Sequence, residues 1–110
     1  MSSAEIVIVL TTAPDAERAE TWARTLVEER LAACVNVHGP MVSFYRWKGA
    51  VETSEERQVV IKTTRDRAAA VQARIVELHP YELPECLVLP ALGGIDPYLA
   101  WITQSTQSEP

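Results

Sequence analysis

The octapeptide 79–86 (HPYELPEC) places several chemically active side chains within eight residues. It contains one imidazole, two carboxylates, a phenol and a thiol, arranged around two prolines. Each proline fixes its own φ and pushes the preceding residue out of the helical region. We therefore expect a stiff connector between a helix and a strand, able to bind a metal ion or a small polar ligand. The alternative is a helix end whose polar groups only satisfy one another, because structural networks use the same residue types.

The metal-binding interpretation of this connector centres on His79, with Glu82 and Glu85 as the nearby carboxylates. Imidazole nitrogen and carboxylate oxygen are ligands for Cu(II) and Zn(II). With one imidazole and hard oxygen ligands, the site is expected to be weak and labile. No cofactor is therefore expected to be required for folding, and a divalent ion such as Cu(II) would bind reversibly.

A small ligand pocket is predicted beside this connector, formed by Lys62, Tyr81, Glu85 and Trp47. Lys62 lies near the end of a predicted central strand, where a charge needs a partner. Glu85, just before the last strand, is the expected partner. An occupied binding site and a purely structural ion pair remain equally open alternatives.

Cys34 is interpreted as a structural residue, a small buried hydrophobic side chain that stays reduced and unreactive. Cys34, Asn36 and His38 share one face of a predicted strand, so a nucleophile with its base or a pair of metal ligands is the alternative. The chain has no glycine-rich phosphate loop, no Gly-x-Ser-x-Gly and no His-Glu-x-x-His. We therefore expect a protein that is not an enzyme.

The composition predicts one domain over residues 1–110, with an ordered core at 6–104 and a frayed tail at 105–110. The net charge of −5 argues against nucleic acid and anionic membranes as partners. The first apolar run, residues 6–10, is too short for a signal peptide or a membrane span. The cytoplasm is the expected compartment.

The apolar periodicity predicts the order β-α-β-β-α-β followed by a terminal helix. The strands are expected at residues 6–10, 34–47, 51–63 and 86–92, and the helices at 14–31, 64–78 and 96–102. The order is that of a ferredoxin-like α+β fold, with two helices on one face of an antiparallel sheet. A bulge or a bend is expected at Gly39-Pro40, and the last strand, with Leu87, Val88 and Leu89, is expected to be buried.

The β2-β3 hairpin is extended, since its predicted arms are roughly twice the usual strand length. A small domain cannot cover such arms, and Val35, Val37 and Val60 are too apolar to face water over so large an area. The sequence thus predicts an oligomer whose subunits shield one another's sheets.

Several separate motifs in this order resemble the CutA divalent-cation tolerance family. They lie at residues 12–14 (TAP), 31–36 (LAACVN), 43–47 (SFYRW), 62–64 (KTT) and 79–85 (HPYELPE), with Tyr98 and Trp101 in the last helix. The resemblance implies a ferredoxin-like fold, a tight homotrimer and a role in tolerance of copper and other divalent metals. This chain has Thr11 and Leu78 where some bacterial relatives have Cys and His, so a Cu(I) site is not expected.

Two alternatives to a metal-tolerance role remain. The first is a trimeric small-ligand sensor that resembles the PII signalling proteins, with sites in clefts between subunits. The second is a purely structural scaffold.

Overall fold

The computed structural model describes residues 5–107 and confirms the predicted α+β class. The strands are β1 (Ile6–Ala13), β2 (Cys34–Trp47), β3 (Ala50–Thr64) and β4 (Leu87–Pro90), and the helices are α1 (Ala16–Glu28), α2 (Arg65–Leu78) and α3 (Asp96–Ser105). The strands form one antiparallel sheet in the order β2-β3-β1-β4. Within residues 5–107, no helix is both long and apolar enough to cross a membrane.

Helix α1 begins later than predicted, because its N-cap is Asp15 and its first helical residue is Ala16. The Asp15 carboxylate accepts the Arg18 N–H at 2.8 Å, which satisfies one of the free amides of the first turn. Pro14 therefore precedes the helix, whereas the sequence analysis placed it inside. The helix also ends at Glu28, before the predicted Leu31, and Arg30 has a positive φ of 60°.

The hairpin of β2 and β3 has arms of 14 and 15 residues, as expected. Lys48 and Gly49, with φ of 50° and 84°, form its turn. The predicted bulge is confirmed by a register shift between His38 and Met41. Gly39 is required there, because its φ is 140° and a Cβ would lie 2.5 Å from Cδ of Arg57.

The main core lies between one face of the sheet and the two helices α1 and α2. Its fully buried side chains include Val9 and Ile61 from the sheet, Leu26 from α1, and Val71 and Ile75 from α2. The buried residues of α2, Ala68, Val71 and Ile75, lie three or four positions apart and so form one face of the helix. Since these residues recur at helical and strand spacing, the core follows directly from the sequence pattern.

The opposite face of the sheet is covered only at one end, where Ile102 of α3 packs with Ile6 and Ala33. The prediction of a buried last strand is wrong for the single chain: β4 is a four-residue edge strand, with Leu87 59% and Leu89 42% exposed. Periodicity identifies an apolar strand but cannot tell what covers it.

The last helix is longer than predicted, because α3 continues past Ile102 to Ser105. Thr106 is buried, and its carbonyl accepts the Arg67 Nε–H at 2.8 Å. The predicted frayed tail therefore does not begin at Ser105. Its final residues, 108–110, lie outside the described part of the chain.

Candidate functional site

A cavity of about 910 Å³ lies between the outer half of the hairpin and the connector that leads from α2 to β4. We call it the hairpin cavity. The connector contributes Tyr81 to Glu85, and the hairpin contributes side chains from both of its strands. Pro84 is part of the connector side of the cavity wall, and a proline stiffens the segment that contains it.

Three of the four residues predicted for the ligand pocket line this cavity: Trp47, Tyr81 and Glu85. Lys62 does not. Lys62 lies four residues beyond Gln58 in β3, where it pairs with Ile8 and Cys34. Four residues of a strand span roughly 13 Å, so Lys62 lies about that far along the strand from Gln58. Gln58, not Lys62, reaches Glu85: its side-chain amide lies 3.5 Å from the Glu85 carboxylate and donates to the Thr11 carbonyl at 2.8 Å.

The predicted Lys62–Glu85 ion pair is therefore not formed among residues 5–107. The pair was expected because Lys62 lies near the end of its strand and Glu85 lies just before the last strand. The register shows instead that the two side chains lie at different heights along the strand.

His79 is buried beneath the connector, and both of its ring nitrogens are engaged. Nε2 lies 2.7 Å from the Thr12 carbonyl oxygen, and Nδ1 lies 3.3 Å from the Tyr81 amide nitrogen. Since a carbonyl only accepts and an amide N–H only donates, Nε2 carries the proton and Nδ1 accepts. Burial lowers the pKa of His79, which keeps the ring neutral and so preserves this pattern.

The expected role of His79 as a metal ligand would require one of these two hydrogen bonds to break. Neither nitrogen has a free lone pair, and the ring is packed between Trp22 and Tyr81 at centroid distances of 4.7 and 4.5 Å. Nowhere in residues 5–107 do three or more His, Cys, Asp or Glu side chains form a group able to hold a metal ion. The set His79, Glu82 and Glu85 is thus not assembled; the two carboxylates line the cavity and the imidazole does not.

Glu56 is the residue of this site that the sequence analysis missed. It lines the cavity, is only 7% exposed, and accepts the Tyr81 O–H at 2.8 Å. Burial, and then the neighbouring Glu56 carboxylate, raise the pKa of Tyr81 and so keep the phenol a neutral donor. The alternation of β3 was the available signal, because Glu52, Glu56 and Gln58 occupy the same face of that strand.

The charge of the cavity wall is predominantly negative. It carries four carboxylates, Glu52, Glu56, Glu82 and Glu85, and one guanidinium, Arg46. Within the described residues none of the four carboxylates belongs to an ion pair. The cavity is therefore suited to attract and bind positively charged groups.

Cys34 and Cys86 do not line this cavity, and both are free thiols, as predicted for Cys34. Cys34 is half-buried at the start of β2, with its Sγ 3.9 Å from the Asn36 side-chain oxygen. Burial, and then the charge of Glu85, raise the pKa of Cys86. A raised pKa lowers the fraction of reactive thiolate at neutral pH.

The chain matches known proteins along most of its length. The family model for CutA1 divalent ion tolerance protein matches residues 7–105. A divalent-cation tolerance protein CutA from Thermus thermophilus is 43% identical over 99 residues, which is 90% of this chain and 96% of the relative.

Two solved structures share the fold. CutA from Xylella fastidiosa aligns with a TM-score of 0.90 and 41% identity, covering 93% of this chain and 98% of that one. CutA1 from Oryza sativa aligns with a TM-score of 0.94 and 33% identity, and the alignment covers 99% of this chain and 100% of that one.

Proposed function

Because the chain belongs to the CutA1 divalent ion tolerance family, we propose that it takes part in tolerance of divalent cations, copper among them. The observation that carries this proposal is the family match over residues 7–105, which includes every helix and strand described above except Ile6, the first residue of β1. The excess of carboxylates on the wall of the hairpin cavity supports it, since such a surface attracts cations. The matches described above carry CutA names, and nothing among them supports the PII-like alternative.

The role that we propose is binding without catalysis. The imidazole of His79 is hydrogen-bonded at both nitrogens and therefore is not available as a general base. Weak metal binding would use the carboxylates of Glu82 and Glu85, which lie at the mouth and wall of the cavity. Oxygen ligands without imidazole or thiolate hold Cu(II) or another divalent ion in a labile way.

Calorimetric titration of untagged, chelator-treated protein with Cu(II) tests this proposal. The double variant Glu82→Gln/Glu85→Gln should lose most of the binding, and His79→Gln should retain it. Glu17→Gln/Glu55→Gln, at two exposed positions outside the cavity wall, is the control that removes the same number of charges. The metal-free protein should stay folded, because a weak ligand stabilises a fold only by mass action. Equal Cu(II) affinity in the double variant and the control would remove these carboxylates from the role.

We propose further that the working form is a homotrimer. The single chain exposes a run of apolar side chains at the edge strand β4 and on the hairpin, including Leu87, Leu89 and Phe44. Surfaces of this kind are typical of subunit interfaces, and a stable assembly should bury more than about 2,000 Å² for each pair of subunits. Analytical ultracentrifugation at micromolar concentration should give three times the chain mass of 12.2 kDa. A monomer would overturn the assembly.

A further inference from the structure

The hairpin cavity has room for more than a metal ion and its waters. Six waters around an ion occupy on the order of 200 Å³, at about 30 Å³ each, whereas the cavity measures about 910 Å³. Volumes of roughly 300–1,000 Å³ are typical of sites for small organic molecules. The space therefore fits a ligand with a carbon skeleton.

The buried carboxylate of Glu56 determines the charge that this ligand should carry. Glu56 is 7% exposed, and its hydrogen-bond donor is the neutral phenol of Tyr81 at 2.8 Å. No cation of residues 5–107 pairs with it. A phenol donates a hydrogen bond but does not neutralise the charge, and a buried charge is stable only when an opposite charge accompanies it.

The aromatic rings of the wall favour the same kind of group. Tyr45, Trp47 and Tyr81 line the cavity, and the register places Tyr45 and Trp47 on the face of the hairpin that carries Glu56. Aromatic faces attract ammonium groups and provide an apolar surface for the methylenes between them. The chain already shows this interaction at the hairpin end, where the Lys48 ammonium lies 5.6 Å from the Trp47 ring centroid.

We propose that the hairpin cavity binds an aliphatic polyamine, with one ammonium group at Glu56 and the carbon chain along the aromatic wall. The remaining ammonium groups would meet Glu52, Glu82 or Glu85 nearer the mouth. This inference goes beyond the role in divalent-ion tolerance and does not rest on it, because it requires no metal.

Titration of the chelator-treated, assembled protein with spermidine tests the proposal. Glu56→Gln keeps the shape of the side chain and its acceptor for Tyr81 but removes the charge. It should weaken spermidine binding about 10- to 100-fold, the range for losing a charged hydrogen bond. Glu55→Gln, on the opposite face of β3 and exposed, removes the same charge outside the cavity and should change affinity less than about 2-fold.

A second pair of variants tests the aromatic wall. Trp47→Leu should weaken spermidine binding about 3- to 10-fold, and Trp101→Leu, which is exposed on α3 outside the cavity, should not. This pair decides the question if Glu56→Gln fails to fold. Absence of spermidine binding to the wild type would overturn the proposal. Equal weakening in Glu56→Gln and Glu55→Gln, or displacement of spermidine by Mg²⁺ at equal concentration, would also overturn it, because the attraction would then be one of net charge alone.

Discussion

Replacing Tyr81 by Phe tests the buried contact on which the site depends. The substitution removes one hydroxyl and leaves the Glu56 carboxylate, 93% buried, without its donor at 2.8 Å. Hydrogen bonds to charged groups contribute about 1.5–3 kcal/mol. We therefore expect the free energy of unfolding to fall by about 2 kcal/mol. Guanidinium unfolding followed by tryptophan fluorescence measures it, at one fixed protein concentration because the stability of an oligomer depends on concentration.

Tyr45→Phe provides the matched control. It removes the same atom from a hydrogen bond of similar length, 2.7 Å to the Ser54 hydroxyl, but at an exposed position without a charge. Tyr45→Phe should lower the free energy of unfolding by about 0.5–1 kcal/mol. Glu56→Gln combined with Tyr81→Phe completes a double-mutant cycle, in which the two effects should couple by about 1 kcal/mol. Equal losses of stability in the two Tyr→Phe variants would refute a special role for the buried contact. So would a double variant whose loss equals the sum of the losses in Glu56→Gln and Tyr81→Phe.

Three further outcomes are expected. The pKa of His79 is lowered in the fold, so below about pH 6.5 the unfolded chain binds more protons than the folded chain. The free energy of unfolding should therefore be constant above about pH 6.5 and fall at lower pH by up to about 1.4 kcal/mol per pH unit. Denaturant titrations across this range should show the slope, and His79→Gln should remove it. Ile75→Ala, at a 1% exposed position, should cost about 2–5 kcal/mol, whereas Val76→Ala, 63% exposed, should stay within about 0.5 kcal/mol in the same assay. Cys86, whose pKa is raised, should react slowly with a thiol reagent at neutral pH, and rapid complete labelling by mass spectrometry without denaturant would contradict its burial.

The core and the hairpin were predictable because their signals are local and periodic. Val71 and Ile75 recur at helical spacing, and both are buried. Lys48-Gly49 between two long extended segments predicts a turn, and both residues have the positive φ that a tight hairpin turn requires. Such patterns need only a few neighbouring residues, so a sequence without structure displays them.

The exposure of β4 was not predictable from its own residues. Leu87, Val88 and Leu89 form an apolar run typical of a buried strand, yet each is at least 40% exposed in the single chain. What covers a strand depends on distant segments or on other subunits. The composition of the run therefore indicates that the strand is to be covered, without indicating by what.

The role of His79 depended on contacts that no local pattern contains. Its Nε2–H donates to the carbonyl of Thr12, 67 residues earlier in the chain. Residue type suggested a metal ligand, because imidazole is a common one. The structure instead uses the ring as a hydrogen-bonded part of the boundary between β1 and the connector.

The connector links this buried ring to the cavity through one residue. The Tyr81 amide donates to the Nδ1 of His79, and the Tyr81 hydroxyl donates to Glu56. Protonation of His79 would turn its acceptor nitrogen into a donor, and the Tyr81 amide would lose its partner. The orientation of Tyr81 toward Glu56 then depends on the neutral state of the ring. The octapeptide therefore serves the site by positioning the donor of a buried carboxylate, and the prolines on either side of Tyr81 limit the other conformations available to that segment.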